Sequence, residues 1–131
     1  MMKGNNPQGL GNDIVEIARI HQSIERHGQH FLDKLFTPRE QEYCLRYKDT
    51  APHFAGRFAA KEAIAKALGT GIGEALSWLD IEILPDPHGR PIVTLSSRAQ
   101  TQFDSPNILL SISHSKEYAI ATALFYTSRN K

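Results

Sequence analysis

A glutamate and a lysine one helical turn apart are the first residues whose types could do chemistry. They are Glu62 and Lys66, in the segment R-F-A-A-K-E-A-I-A-K-A-L-G-T-G at positions 57–71. At about 100° per residue this segment predicts a helix, with Glu62 beside Lys66 and Phe58. Small apolar residues form the nearly opposite face: Ala60, Ala63, Ile64 and Ala67.

Taken alone, this Glu-to-Lys spacing indicates a surface ion pair. Glu before Lys at i, i+4 is the favourable order and stabilises a helix by about 0.2–0.5 kcal/mol. By the same interpretation, Lys61 and Lys66 are solvated side chains. The alternative is that Glu62 faces outward to hold a ligand.

A second carboxylate, Asp13, lies in the segment G-L-G-N-D-I. An aspartate that follows glycines and precedes a predicted helix is commonly an N-cap. Gly9 and Gly11 also allow another backbone to come close to this segment. Local spacing does not connect Asp13 with Glu62, because the two residues are 49 positions apart.

A histidine ends an apolar row in the segment S-I-S-H-S, residues 111–115. In an extended strand, Ile108, Leu110 and Ile112 share a face with His114. A histidine at the end of such a row is typical of a rim residue. Ser113 points to the opposite face, so it does not pair with His114 as in a catalytic triad.

Two further patterns favour structural interpretations. The segment G-T-G-I-G at 69–73 follows a helix, so it indicates a helix stop and not a phosphate-binding loop that leads into a helix. His21, His27 and His30 lack the spacing and the partner ligands of a zinc site, which indicates surface histidines.

Helices and one short strand are predicted for the first half of the chain. Residues 10–17 are predicted as a strand or as a strand that turns into a helix. Isoleucines at helical spacing then predict a helix that ends at Gly28. Thr37 is the predicted N-cap of the next helix, with Pro38 at its first position and Glu40 as the capping-box acid. A break at Pro52 precedes the long helix, which covers about 53–68.

The second half of the chain changes to a period of two. Leu79, Ile81 and Ile83 alternate with acidic residues, which predicts a half-buried strand that P-D-P-H-G-R connects to P-I-V-T-L. A short helix over 96–103 precedes a second hairpin around H-S-K-E. Because no crossover helix separates the strands of each pair, the pairs are predicted to be antiparallel. The fold class is α+β.

Composition excludes several classes of protein. The 131 residues are 40% hydrophobic and carry a net charge of +1, which favours one soluble domain and argues against a general nucleic-acid binder. The apolar runs are too short to span a bilayer, and the first residues contain no signal-peptide core. One cysteine, Cys44, fits a reducing cytoplasm.

Four motifs occur in a fixed order: G-x-D-I-V-E-I-x-R-I at 11–20, R-F-A-A-K-E-A-x-x-K-A-L-G-T-G-I-G at 57–73, H-G-R-P at 88–91 and S-I-S-H-S-x-E-Y-A-x-A at 111–121. This ordered set resembles the holo-acyl-carrier-protein synthases, the small trimeric class of 4′-phosphopantetheinyl transferases. The resemblance implies that family's fold, an antiparallel sheet around one long central helix. It also implies a single domain over 10–131 behind a flexible tail over 1–9.

The resemblance further implies an activity in fatty acid biosynthesis. Such enzymes move 4′-phosphopantetheine from coenzyme A to a serine of apo-acyl carrier protein, release adenosine 3′,5′-bisphosphate and use Mg²⁺. It maps the metal-binding acids onto Asp13 and Glu62. Two carboxylates about 4 Å apart repel by about 4 kcal/mol at an effective dielectric of 20, so such a pair favours a bound cation. The base for the carrier serine is open between a water at the metal and one of the two acids.

Basic and glycine-rich positions are assigned to coenzyme A by the same resemblance. Lys66 is expected to reach the phosphates of the pyrophosphate and stabilise the departing bisphosphate. The other expected coenzyme A contacts are Lys48, Arg57, Gly69, Gly89, Arg90, Pro91 and His114. Two departures from the family stand nearby: Asp49, where some relatives carry a second base, and His88, where asparagine is common.

The resemblance also implies partners. It indicates a homotrimer with active sites between subunits, in which His114 of one chain faces the acid pair of another. Arg19 matches the arginine that contacts the acidic carrier protein, and Arg26 lies two turns later on the same helix face. The alternative function is a non-catalytic module that binds carrier protein or nucleotide through the same residues.

Overall fold

The structure is a computed structural model that describes residues 5–128 of the chain. Three antiparallel strands form the larger sheet in the order β1-β5-β4, and a separate hairpin forms the smaller sheet, β2-β3. The strands are β1 (Asn5–Glu16), β2 (Ile81–Pro85), β3 (Pro91–Leu95), β4 (Asn107–His114) and β5 (Tyr118–Ser128). The helices are α1 (Ile17–Leu35), α2 (Pro38–Cys44), α3 (Ala51–Ala67) and α4 (Ser97–Gln102), with a short 3-10 helix over Trp78–Asp80. This confirms the predicted α+β class with a long central helix.

Helix α3 is the central element and is buried on nearly all sides. The predicted face of Ala60, Ala63, Ile64 and Ala67 is buried, and it packs on the larger sheet together with Ala121 and Ala123. Further along the helix, Gly56 lies against Ile112 of β4. Small side chains on both surfaces let the helix lie close to the sheet, which determines where its more polar positions emerge.

The capping box predicted for α2 is present. The Thr37 side chain accepts from the backbone N–H of Glu40, and the Glu40 carboxylate accepts from the backbone N–H of Thr37. Pro38 occupies the first helical turn, where its missing N–H costs no hydrogen bond. Local sequence therefore determined this helix start correctly.

Several predicted boundaries are wrong. Residues 5–9, assigned to a flexible tail, belong to β1, where they pair with β5; residues 1–4 of that tail lie outside the described residues. The end predicted at Gly28, by contrast, is confirmed: its φ of 55° and ψ of −133° are not helical and divide α1 into two helical segments at a kink. Pro52 lies in the first turn of α3, so it is not the residue that ends the preceding helix. Leu79 is exposed in the 3-10 helix, and the strand begins only at Ile81.

Both predicted hairpins are confirmed. Ile83 pairs with Val93 in the smaller sheet, and Ile112 pairs with Ala121 in the larger one. At the first turn, the Asp86 carboxylate accepts from the backbone N–H groups of His88 and Arg90. Gly89 has φ 87° there, a backbone conformation that glycine adopts without strain. Among the described residues, no helix combines the length and apolarity needed to cross a membrane.

Candidate active site

Asp13, Glu62 and Lys66 come together where β1 crosses the C-terminal half of α3. The Lys66 ammonium donates to Asp13 Oδ1 at 3.0 Å and to the backbone carbonyl of Asn12 at 2.9 Å. The expected Glu62–Lys66 ion pair is not among the ion pairs of the described residues; Lys66 pairs with Asp13 instead. Tertiary packing therefore brings Asp13 to Glu62 and Lys66, from which it is distant in the sequence.

Two glycines of β1 make this approach possible. A Cβ at Gly11 would lie 1.9 Å from the carbonyl oxygen of Ala63, and one at Gly9 would lie 1.9 Å from that of Ala67. No side chain fits in that space, so the predicted close backbone approach is confirmed. Asp13 follows two residues after Gly11 on the same face of the strand, so it points toward α3. It is not the N-cap of α1, which is Glu16.

The electrostatics of Glu62 reflect this convergence. Partial burial raises the pKa of Glu62 above its usual value, and the negative charge of Asp13 raises it further, while Lys66 acts in the opposite direction. Among the described residues, no hydrogen bond or ion pair engages the Glu62 carboxylate. The site therefore holds one paired and one unpaired carboxylate.

This donor set fits a magnesium ion. Mg²⁺ is commonly held by one or two carboxylates, with water and substrate phosphate oxygens completing its shell. Asp13 and Glu62 would supply those carboxylates. Within the described residues there is no cluster of three or more His, Cys, Asp or Glu side chains, the arrangement typical of zinc.

Lys61, the neighbour of Glu62, corrects an expectation. The sequence indicated a solvated lysine, but its side chain is fully buried. Its ammonium donates to Glu40 Oε1 at 2.8 Å and to the carbonyls of Leu35 and Trp78 at 2.7 and 3.0 Å. Burial lowers the pKa of Lys61, and the adjacent Glu40 opposes that effect. Lys61 therefore anchors the back of α3 while Glu62 faces Asp13.

A second polar cluster lies at the other end of α3. The exposed His114 ring, at the end of β4, contacts His53 edge-on with ring centroids 5.8 Å apart. His53 stacks on Tyr47, and the Arg57 guanidinium lies over the Tyr43 ring, 4.5 Å from its centroid. The cluster thus combines a cation and imidazoles with aromatic surfaces.

The sequence indicated Arg57 and His114 but missed three members of this cluster. Tyr43, Tyr47 and His53 were not predicted as site residues. The two tyrosines share an i, i+4 spacing, but no local pattern connects His53 with them. Partial burial lowers the pKa of His53, and His114 and Arg57 lower it further. An anionic ligand bound here would favour protonated His53 and would raise its pKa again.

The two clusters are separated within one chain. His53 precedes Glu62 by nine positions on a continuous helix, which corresponds to about 13 Å along its axis. His114 lies on the outer strand β4, whereas Asp13 lies on β1, with β5 between them. Within one chain, the His114 side chain is therefore too far from Asp13 and Glu62 to share a ligand contact with them.

The remaining predicted site residues occupy loops and turns. Lys48 is exposed after α2, and Gly69, with φ 88°, ends α3 as expected. Gly89 and Arg90 form the β2–β3 turn, and Pro91 begins β3. Among the described residues, no hydrogen bond or ion pair links these positions to Asp13 or Glu62.

The predicted carrier-contacting arginines share one exposed face of α1. Arg19 and Arg26 line a shallow polar groove of about 210 Å³ together with Gln22, Ser23 and His27. Neither arginine forms an ion pair within the described part of the chain. This face is therefore a positive surface on a chain of nearly zero net charge.

Comparison with known proteins agrees with this arrangement. Residues 9–123 match the ACPS family, the 4′-phosphopantetheinyl transferase superfamily. Holo-[acyl-carrier-protein] synthase of Protochlamydia amoebophila is 54% identical over 89% of this chain and 96% of its own length. The corresponding enzyme of Chlamydia felis is 56% identical over 88% of this chain and 93% of its own length.

Solved structures show the same fold. The Helicobacter pylori holo-[acyl-carrier-protein] synthase in complex with coenzyme A superposes with a TM-score of 0.82 at 41% identity, over 88% of this chain and 98% of that one. The Bacillus anthracis enzyme in complex with CoA (3′,5′-ADP) gives 0.81 at 39% identity, over 93% and 98%. The chain therefore belongs to the 4′-phosphopantetheinyl transferase superfamily.

Proposed function

We propose that this protein is a holo-acyl-carrier-protein synthase. It transfers 4′-phosphopantetheine from coenzyme A to a serine of apo-acyl carrier protein and releases adenosine 3′,5′-bisphosphate, a step that supports fatty acid biosynthesis. The matching relatives bear this enzyme name, and the Helicobacter pylori structure contains coenzyme A. We place the activity in the one domain predicted over residues 10–131, extended by residues 5–9 of β1.

The convergence of Asp13, Glu62 and Lys66 carries the proposal. Asp13 and Glu62 would hold Mg²⁺, which when bound neutralises the pyrophosphate and polarises the phosphorus under attack. Lys66 Nζ is already within hydrogen-bond distance of Asp13, so its flexible stem can present the ammonium to the same phosphates. These three side chains supply the charge that phosphoryl transfer requires.

The bond changes involve few protein groups. The carrier serine oxygen forms a bond to the phosphorus that carries pantetheine, and the bridging bond of the pyrophosphate breaks. The bridging oxygen leaves with adenosine 3′,5′-bisphosphate, whose added charge Lys66 stabilises. The serine proton goes to a nearby base, for which an acid of the Asp13–Glu62 pair is one candidate.

The second polar cluster suits the remaining phosphates of coenzyme A. Arg57 is a bidentate donor by chemistry, His114 is exposed, and Lys48 lies on the loop between α2 and α3. About 13 Å of helix separates His53, which His114 contacts, from Glu62 in one chain. A site shared between two subunits would therefore bring His114 and the acid pair onto one nucleotide. Gly69 and residues 89–91 complete the proposed nucleotide contacts.

The outer face of the larger sheet supports a homotrimer. Leu10, Ile14, Leu109 and Ile120 are 69%, 59%, 43% and 38% exposed. Ile14 pairs directly with Ile120, and Leu10 and Leu109 both pair with Leu124. The exposed face therefore carries two apolar groups across neighbouring strands, with the polar row of Asn12, Thr122 and Ser111 between them. Patches of this kind mark subunit interfaces, and oligomerisation would cover it.

The carrier protein is the proposed macromolecular partner. Arg19 and Arg26 present positive charge on one face of α1, and an acidic carrier surface complements it. We also propose a cytoplasmic location. Cys44 is a free and buried thiol, and burial raises its pKa to about 12, which fits a reducing compartment in which it has no redox role.

The decisive measurement is the intact mass of apo-acyl carrier protein after incubation with coenzyme A, Mg²⁺ and this protein. We expect the carrier to gain the mass of one phosphopantetheine group. Asp13→Asn or Glu62→Gln keeps the side-chain shape but removes a charge, and we expect a rate loss of about 100-fold or more. Glu74→Gln, the same kind of change at an exposed position, serves as the matched control.

The non-catalytic binding module gives a different result. It would bind carrier protein or nucleotide but leave the carrier mass unchanged, which would contradict the proposed enzyme. Unchanged rates in both acid variants would instead remove the metal assignment while leaving the transferase activity in place.

A further inference from the structure

Lys66 forms an ion pair with Asp13, a carboxylate that the proposed metal site needs. Its ammonium lies 3.0 Å from Asp13 Oδ1 and 2.9 Å from the Asn12 carbonyl, and it is the ion-pair partner of Asp13 within the described residues. The Asp13 side chain is only 18% exposed, so few directions of approach remain open to another cation. Lys66 therefore holds a position that a divalent ion would share.

Two cations on one carboxylate repel each other. A divalent ion held by Asp13 and Glu62 would lie a few ångströms from the ammonium, where the repulsion of like charges is strong. The unpaired Glu62 carboxylate attracts the divalent ion but does not draw the ammonium away from Asp13, with which Lys66 pairs. Metal binding would therefore be favoured by movement of Lys66 away from Asp13.

The Lys66 side chain is able to make this movement. It is 51% exposed, and its Nζ forms only these two hydrogen bonds, in contrast to the fully buried Lys61 with its three. Lysine is a flexible four-carbon stem with a compact charge, so a nearby phosphate is an adequate alternative partner. The pyrophosphate of coenzyme A would provide it.

We propose that Lys66, besides its contact with the phosphates, competes with the divalent cation for Asp13 and releases Asp13 when a phosphate ligand arrives. Coenzyme A and metal then bind cooperatively, because the nucleotide removes the charge that opposes the metal. By thermodynamic reciprocity, the metal strengthens coenzyme A binding by the same factor. This inference rests on the proposed function, because it assumes the metal and coenzyme A share this site.

The test measures Mn²⁺ binding, not turnover. Free Mn²⁺ is followed by electron paramagnetic resonance during titration of chelator-treated protein, with and without coenzyme A and without carrier protein. For Lys66→Met alone we expect Mn²⁺ affinity about 5- to 150-fold tighter than wild type, the range of typical coupling energies. Coenzyme A should tighten Mn²⁺ binding to wild type by a larger factor than binding to Lys66→Met, in which only its phosphate ligands contribute.

Matched variants show whether the change in Mn²⁺ affinity comes from Lys66 and Asp13. Lys34→Met removes the same charge from an exposed position on α1 and should bind Mn²⁺ as wild type does. Asp13→Asn should weaken binding in both the wild-type and the Lys66→Met background. Thermal unfolding of each variant verifies that it is folded.

Two results would overturn the inference. The first is equal Mn²⁺ affinity of wild type and Lys66→Met, including the case in which neither binds. The second is equal tightening by coenzyme A in both proteins. Failure of the proposed function is a separate result, since a protein that never modifies carrier protein can still show tighter Mn²⁺ binding in Lys66→Met.

Discussion

At the scale of single residues, Lys61 and Glu62 are sequence neighbours in opposite environments. Lys61 is fully buried against Glu40 and two carbonyl oxygens, whereas Glu62 is half-buried beside Asp13. Each Glu40 oxygen is also engaged: Oε1 accepts from Thr37 N–H and Oε2 from Ile83 N–H. The buried pair therefore joins α2, α3 and β2 behind the acid pair.

Removal of Lys61 should cost much more stability than removal of Lys66. For Lys61→Met we expect a loss of about 3–5 kcal/mol in the free energy of unfolding, because Glu40 is left charged and buried. Urea denaturation at neutral pH measures this loss, with Lys66→Met as the exposed control. Adding Glu40→Gln to Lys61→Met should recover part of the loss. A Lys61→Met protein as stable as wild type would contradict the assigned role of the pair.

At the scale of elements, the contact of β1 with α3 determines the geometry of the site. Gly9 and Gly11 leave no side chain between the strand and the helix, and Ala63 and Ala67 face them with their backbones. A helix that packs this closely carries Glu62 and Lys66 directly to Asp13. The distance between the two acids is therefore a property of this packing.

Gly11→Ala should separate the two elements. Its Cβ would lie 1.9 Å from the Ala63 carbonyl oxygen, so β1 must move. We expect the free energy of unfolding to fall by about 1–3 kcal/mol or more. The transfer rate should fall further than the lower stability alone would cause. Gly73→Ala is the matched control, because a Cβ there meets nothing within 4 Å. The carrier-mass assay and urea denaturation give the two readouts, and an unaffected Gly11→Ala rate would refute the argument.

A second polar network holds the 3-10 helix to the start of α4. Burial of Asp80 by itself raises its pKa, but hydrogen bonds from Ser96, Ser77 and Arg98 outweigh burial and lower it from 3.8 to about 2. Because the folded-state pKa is depressed, the stabilisation is fully present above about pH 4. It is lost as the pH falls toward 2.

Asp80→Asn tests this dependence. We expect the variant to unfold at lower urea concentration than wild type at pH 7, with the difference shrinking between pH 4 and pH 2. Glu74→Gln, at an exposed position, should show no such pH-dependent difference from wild type. A constant gap between Asp80→Asn and wild type across this range would show that ionisation of Asp80 does not stabilise the fold.

At the scale of the whole molecule, the larger sheet has two different faces. One face packs on α3 through Ala121 and Ala123, and the other exposes Leu10, Ile14 and Ile120. A single chain thus leaves an apolar surface uncovered and keeps the acid pair apart from the His114 cluster. Association of several chains would resolve both features.

Ile120→Lys should prevent that association. A charge beside Ile14 on this sheet face would have to be buried without a partner on association, so we expect sedimentation velocity to shift from trimer to monomer. Transfer activity should fall together with the trimer. Thr94→Lys, at an exposed position of the smaller sheet, should keep both. A fully active Ile120→Lys monomer would contradict the shared active site.

Much of this protein was predictable from local sequence. The capping box of Thr37 and Glu40, the two hairpins and the glycine stop after α3 depend on neighbouring residues, and all are present. The ordered motifs indicated the family, which the comparisons confirm. The boundaries at β1 and β2 were wrong for two reasons. Pairing with β5 extends β1 to Asn5, and the capping box of Ser77 and Asp80 holds residues 78–80 in a 3-10 helix before β2.

Tertiary structure alone decided the environment of each charge. Helical periodicity gives the angle between side chains on α3, but it does not say which sides of the helix are covered. Here the sheet covers one side, and α1, α2 and the 3-10 helix enclose Lys61 on another, while Lys66 emerges at the edge of β1. The pairing of Lys66 with Asp13 depends on close backbone packing across 53 positions of sequence, a contact that no local pattern specifies.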